Sequence, residues 1–248
     1  HTALRFMPGG EKVLIGLTTG PGATPEQAAA KVKELGLDRP FITQYVSWMG
    51  DFVTGNWGTT WQTNQSISSE IKRAMPTSLY LMIYGQFVAL GLAIPTAVWS
   101  AYRQNTRFDR MASTSAFGML SLPNFIVAPI LVLIFSVTWN IFPFPSIYRS
   151  LWDSPIEHFK AFALPSFTIA IPLYAGYMRL LRADMIASLQ SDFITTARAK
   201  GVSTSSLLFV HGLRPSLFSL VTSAAVNIGA LMGGVVIVEQ FFLLNGMG

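Results

Sequence analysis

Four stretches of this chain carry no charged residue: 76–102, 111–148, 161–178 and 215–238, which are 27, 38, 18 and 24 residues long. A helix crossing the hydrocarbon core of a bilayer needs about 20 predominantly apolar residues. Inside lipid every backbone N–H and C=O must be satisfied by the protein itself, which leaves helices or closed barrels. Runs of this length and apolarity read as helices, so the expected fold class is all-α: a polytopic transmembrane helical bundle. The spans are predicted at about 76–102, 111–142, 161–182 and 215–238. The third is long enough only if Phe159 or the Leu180–Leu181 pair extends it. Charged residues make up 12% of the chain, against about 25% in a soluble domain, too few to clothe a water-soluble surface.

Residues 1–70 form the one substantial region outside the membrane, and 71–248 the membrane domain. Thr24, Pro25 and Gln27 mark a helix start, and Gly36 a stop, so a short helix is predicted over 25–35. Trp48, Trp57 and Trp61, set among glycines, either lie at the bilayer interface or form the core of a small loop domain. The chain has no cysteine, and His1, His158 and His211 are far apart, so neither disulfides nor a metal centre are expected. The net charge of +5 is assigned to membrane-flanking loops rather than to a nucleic-acid partner.

Loop charge sets the expected orientation. Arg103, Arg107 and Arg110 outnumber Asp109 between the first two spans. Arg179, Arg182, Arg198, Lys200 and Arg214 outnumber Asp184 and Asp192 between the last two. The middle loop balances Arg149 and Lys160 against Asp153 and Glu157. The positive-inside rule places the two arginine-rich loops in the cytoplasm, and residues 1–70 outside the cell. An exterior N-terminal region calls for an uncleaved helix ahead of His1, with the apolar residues 3–7 as its last turn. The segment 241–248 then leads into a returning helix, so both ends are expected to be incomplete and the whole to have six spans.

Within the spans, Pro123, Asn124 and Pro129, then Pro165 and Pro172, then Asn227, Gly229, Gly233 and Gly234 interrupt the apolar pattern. Proline kinks a helix by removing a backbone bond, and small residues let helices approach closely. Ordinary packing uses the same residues. Asn124, Pro129, Pro172, Asn227 and Gly233 are the candidates for helix bends or the lining of a pathway.

The most patterned segment is the loop 191–214, SDFITTARAKGVSTSSLLFVHGLR. Asp192 is predicted to cap a helix over 193–200, Gly201 to make a sharp turn, and Ser203 to cap a second short helix over 204–212. Pro215 then opens the next span. Two short helices joined at a glycine make a knob that can seat in a cleft of a soluble partner.

The segment resembles the cytoplasmic signature loop of ABC-importer permeases, EAA–three residues–G–nine residues–I–x–LP, of which Ala197, Gly201 and Leu213 match. It is more similar to the dipeptide/oligopeptide branch, with its TARAKG core (Thr196, Ala197, Arg198, Ala199, Lys200, Gly201) and downstream H-x-LR (His211, Leu213, Arg214). LRFMPGG at 4–10, LGLDRPFITQYVSWMGDFVTGNWG at 35–58, and VVIVEQFF with the closing GMG resemble other parts of that branch's B-type subunit. The resemblance implies the type I ABC-importer permease fold and a non-catalytic subunit. Its partners would be a second permease subunit in a heterodimer, two ATP-binding subunits and an extracytoplasmic substrate-binding protein. ATP and Mg²⁺ would be held by the ATPase subunits, with no cofactor in this chain. Residues 196–201, with His211 and Leu213, would form the coupling contact, and the cargo would be a di- or oligopeptide, or alternatively nickel or another small solute. The chain lacks a GxxxxGK[ST] phosphate loop, which argues against ATP hydrolysis here. An intramembrane hydrolase would need a serine, an aspartate or a metal-ligand pair inside the spans; no acidic residue or histidine lies in the uncharged runs, and the serines there have no nearby base and more often bond to helix carbonyls. A passive channel or scaffold would need no docking knob.

Overall fold

The computed structural model describes residues 40–59, 65–148 and 150–248, and the chain divides into two compact units, His1–Arg73 and Ala74–Gly248. The helix expected over 25–35, residues 3–10 and Trp61 lie outside the described residues. In the first unit, α1 (Phe41–Val53) is followed by a turn in which the Trp57 indole donates to the Phe52 carbonyl at 3.1 Å. Tyr45, Trp48, Phe52 and Trp57 line up with successive ring centroids 5.6–6.2 Å apart. Each ring of that ladder stays at least 39% exposed, so the aromatics stack on one another without forming a closed core.

The chain is helical through its membrane domain: α2 (Ile67–Tyr102), α3 (Arg107–Leu120), α4 (Asn124–Val132), α5 (Pro155–Leu189), α6 (Asp192–Ala199), α7 (Thr204–Ser206) and α8 (Leu213–Phe242). No strand occurs among the described residues, only an isolated bridge between Thr59 and Ser66. Among the described residues, three helices are long and apolar enough to cross a membrane, and a fourth crossing is available if α3 and α4 count as one. The helices overrun the uncharged runs: α5 begins at Pro155 and ends at Leu189. At 1.5 Å per residue it is about 50 Å long, more than a bilayer core requires.

The second run is not one straight span. After α3 the chain breaks at Ser121, Leu122 and Pro123, and α4 leaves at 108° to α3. Absence of charge made 111–142 look continuous, but proline restricts the residue before it to extended backbone, and Pro123 then serves as the N-cap of α4. Partners along α5 show how this pair travels. Asp109 in α3 meets Arg182, and the Phe117 ring lies under the Arg179 guanidinium at 3.9 Å. Met119 shares a pocket with Tyr174 and Ala170, and Asn124 shares a cleft with Pro172 and Ile169. Val132 joins the apolar cluster that contains Phe162. The partners of this pair thus shift along α5 in one direction, from Arg182 toward Phe162.

α5 is the central element: 61% of its apolar stretch is buried, against 17% for the stretch 204–233. On α2, Gly85, Ala89, Ala93, Ala97 and Ala101 recur every fourth residue, which places them on one helix face. The four alanines are essentially fully buried. A Cβ on Gly85 would stand 3.1 Å from Ile169 Cγ2, so the small residues set the close approach of α2 to α5. The apolar interior falls into two clusters. One contains Ala89–Ala101 stripe residues with Met178, Leu181 and Leu220, the other Leu81, Phe162, Val235 and Phe242.

Candidate functional site

Between the two clusters lies a polar layer. Gln86 of α2 donates through Nε2 to the Tyr177 hydroxyl at 2.9 Å and to the Ala224 carbonyl at 3.1 Å. The Asn227 amide of α8 donates to the same hydroxyl at 3.1 Å. Gln86 and Tyr177 are buried, and a buried polar group left unbonded in an apolar interior is costly. Their mutual bonding therefore ties α2, α5 and α8 together at one level. Beside this layer opens a cleft of about 190 Å³ lined by Asn124, Ile169, Pro172, Leu173, Asn227, Ala230 and Leu231. Pro172 lies midway along α5 and Asn227 midway along α8, so the cleft sits at the middle of the bundle.

Three of the five residues singled out in the spans, Asn124, Pro172 and Asn227, thus come together in one cleft. Pro129 and Gly233 do not line it. Both are exposed, and a Cβ on Gly233 would meet nothing within 4 Å. Gln86 and Tyr177 were not anticipated. An isolated glutamine in the first uncharged run was the available signal.

At the end of the bundle that carries α6, a partly buried ion pair pins three segments. Arg182 of α5 donates through Nε and a terminal nitrogen to the two Asp109 oxygens, at 2.6 and 2.8 Å. Ser100 of α2 bonds the same carboxylate, and the Asn105 amide adds a bond at 2.8 Å. Every oxygen of the 3% exposed Asp109 is therefore compensated. At the opposite end the buried Glu239 of α8 accepts from Ser78 of α2 and from the Gly248 amide. A Cβ on Gly246 would overlap that carboxylate. Counted only as loop charges or passed over, these two carboxylates proved to be built into the packing.

The predicted knob is present, with two changes. α6 begins at Asp192 with Ser191 in the N-cap position, so Asp192 is the first helical residue and its charge faces the helix dipole rather than capping it. Helix α6 ends at Gly201, where φ is +80°, a backbone region that glycine enters without steric cost. The Gly201 amide bonds the Arg198 carbonyl at 3.0 Å and the Val202 amide the Ala197 carbonyl at 3.2 Å, the paired bonds of a Schellman stop. Ser203 then caps α7 by accepting from the Ser206 amide.

The second change concerns 204–212. Instead of a separate helix, α7 passes through a π-helical turn (Leu207–Gly212) directly into α8, leaving Pro215 inside the helix. The wider turn accommodates a proline that would otherwise crowd the preceding carbonyls, and the Ser216 hydroxyl donates to the Gly212 carbonyl at 2.8 Å. Gly212 is packed tightly, since a Cβ there would lie 3.1 Å from Leu189 Cδ2 and 3.4 Å from Met185 Cε.

Thr196, Arg198, Ala199, Lys200 and Gly201 are exposed, Ala197 is half-buried, and Ile194 is buried as the anchor of α6. His211 and Leu213 do not share that face. His211 bonds the Ser206 carbonyl through Nδ1 at 3.1 Å, and Leu213 packs against the apolar cluster. The half-exposed Phe193 was missed and lies on α6 at its start.

Residues 93–248, which include the cleft and the knob, match the family described as binding-protein-dependent transport system inner membrane component. The oligopeptide transport system permease protein OppB of Mycobacterium tuberculosis (strain ATCC 25618 / H37Rv) is 36% identical over 236 residues, which is 90% of this chain and 72% of that protein. A putative peptide transport system permease protein of Brucella abortus (strain 2308) is 32% identical over 246 residues, covering 99% and 77%. The oligopeptide transport system permease protein AppB of Bacillus subtilis (strain 168) is 34% identical over 219 residues, covering 88% and 69%. With its helical bundle and match over more than half its length, the chain belongs to the family of binding-protein-dependent transport system inner membrane components, as a membrane permease subunit of an importer.

Proposed function

We propose that this chain is one of the two permease subunits of an ATP-driven importer of di- or oligopeptides. Its relatives, named as oligopeptide and peptide transport permeases, support the peptide cargo. In this reading it pairs with a second, different permease subunit. Two ATPase subunits hold ATP and Mg²⁺, and a binding protein outside the cell delivers the peptide. The observation that carries the coupling role is the knob itself: an exposed helix, Asp192–Ala199, stopped by a glycine in a left-handed conformation and followed by a π-turn whose Gly212 packs tightly on the end of α5. A solvated linker needs none of those devices.

Exposed Arg198 and Lys200 pair with acidic residues of an ATPase groove, and exposed Ala199 and Gly201 allow close approach. The mechanism is alternating access. ATP binding closes the ATPase pair, the knob moves with it, and the helices rock around the midspan cleft bordered by Asn124, Pro172 and Asn227. ATP supplies the bias by binding one of the two states more tightly. Replacing Gly201 with valine tests the assignment, because a β-branched residue is strained at φ +80°. The subunit should still insert and assemble, while ATP hydrolysis continues without matching peptide uptake. Unchanged uptake in the assembled Gly201→Val complex would count against the coupling role.

A further inference from the structure

The midspan cleft combines apolar walls with two carboxamides. Ile169, Leu173, Ala230 and Leu231 supply hydrocarbon, and Asn124 and Asn227 supply the polar groups. The Asn124 side chain makes no hydrogen bond among the described residues, and on Asn227 one bond is made, from Nδ2 to Tyr177. The Asn227 Oδ1 therefore has no partner, and its orientation is held from behind by the Gln86–Tyr177 pair. A carboxamide carries both a donor and an acceptor, the same complement as a peptide main-chain amide. No charged side chain lines the cleft, so it has nothing with which to select charged termini or charged side chains. Its volume of about 190 Å³ is below the 300–1,000 Å³ typical of sites for whole small-molecule ligands, and suits one residue of a chain in passage.

We propose that Asn124 and Asn227 form a subsite that hydrogen-bonds the main-chain amide of the transported peptide, independently of its side chains. The proposal rests on the peptide-importer reading and adds to it the group that is recognised. Asn124 and Asn227 are half-buried where they border the cleft, and a main-chain amide crossing the apolar middle of a bundle is costly to leave unbonded. The carboxamides and the amide satisfy each other for as long as the residue is in transit, without the strength of an ion pair. A subsite of this kind suits cargo of varied sequence.

The test uses the complete transporter with its partner subunits and binding protein in proteoliposomes. It compares a tripeptide with its depsipeptide, in which the central amide is an ester and the side chains are unchanged. Uptake per ATP hydrolysed is read at saturating binding protein. In the unmodified transporter the tripeptide should be moved about tenfold more efficiently than the ester, the equivalent of one hydrogen bond. The Nδ2 of Asn227 is engaged with Tyr177, so its Oδ1 accepts from the peptide N–H, the group the ester lacks. Asn227→Leu should bring the tripeptide down about tenfold, to the level of the ester, and leave the ester unchanged. Asn124→Leu removes the donor to the peptide carbonyl, which the ester keeps, and should lower both substrates while the ratio persists. A tripeptide-to-ester ratio near one in the unmodified transporter overturns the proposal without recourse to any variant. So does a ratio that survives in Asn227→Leu, or an equal fall for both substrates in that variant, which would mark a structural role. If the unmodified transporter moves no peptide at all, the peptide reading fails and this subsite fails with it. Robust tripeptide uptake with an unaltered ratio in Asn227→Leu, or full uptake of both substrates in Asn124→Leu, sinks the subsite alone.

Discussion

Asp109 shows how little a residue's place in a charge count says about its role. In the sequence it offsets three arginines in a short loop, yet it is 3% exposed and joins α2, α3 and α5 through Ser100, Asn105 and Arg182. Removing one partner of a fully buried ion pair strands the other, at a cost of about 3–5 kcal/mol, and the 26% exposure of Arg182 places this pair below that range. Arg182→Ala should therefore lower the thermal stability of the purified subunit. The double change Asp109→Asn with Arg182→Gln keeps hydrogen-bonding groups and removes both charges, so it should lose much less. Melting curves in detergent separate the two, and equal losses would mean that the pair does not hold the helices. Which side chains meet across helices is a matter of three-dimensional register, so neither this pair nor the Glu239–Ser78 contact could be read from spacing. Gly201 and Ser203 were legible because a helix stop and a helix cap are decided within a few residues.

At the scale of elements, existence was readable and continuity was not. Apolar length announces a helix in lipid, and α2, α5 and α8 fall where the uncharged runs lie. The break at 121–123 depends on one proline in a run that hydropathy treats as uniform. The fusion of α7 with α8 depends on a π-turn, for which the sequence shows no more than a glycine and a proline nearby. That turn has a mechanical consequence. A π-turn behaves as a one-residue insertion in an α-helix, and each residue rotates a helix by about 100°. Deleting Val210 should restore regular helix and turn the knob about 100° relative to α8. Val210 is half-exposed, so the deletion removes little packing, and the subunit should insert and assemble. On the coupling reading, ATP hydrolysis should persist while peptide uptake is lost. Full uptake in the Val210 deletion would mean that the angular register of the knob is irrelevant.

For the whole molecule, the polar layer and the break between α3 and α4 occupy the same level, and this makes the middle of the bundle its least continuous part. α4 starts there, Pro172 interrupts the backbone hydrogen bonding of α5 there, and the two apolar clusters part there. Rocking of rigid ends about a discontinuous middle is the motion that alternating access asks for. The proposed direction of that motion depends on which end faces the cytoplasm, and loop charge is the reason for putting the knob there. The chain has no cysteine, so single cysteines report orientation without a background. Lys200 in the knob and Trp152 in the loop between α4 and α5 are both exposed, the latter at 88%. A membrane-impermeant thiol reagent added to intact cells should label Trp152→Cys and leave Lys200→Cys untouched. In inside-out vesicles the pattern should reverse. Labelling of Lys200→Cys from the outside of intact cells would remove the knob from reach of any cytoplasmic ATPase, and the coupling mechanism with it. The midspan cleft would still stand, because its geometry does not depend on which end faces in.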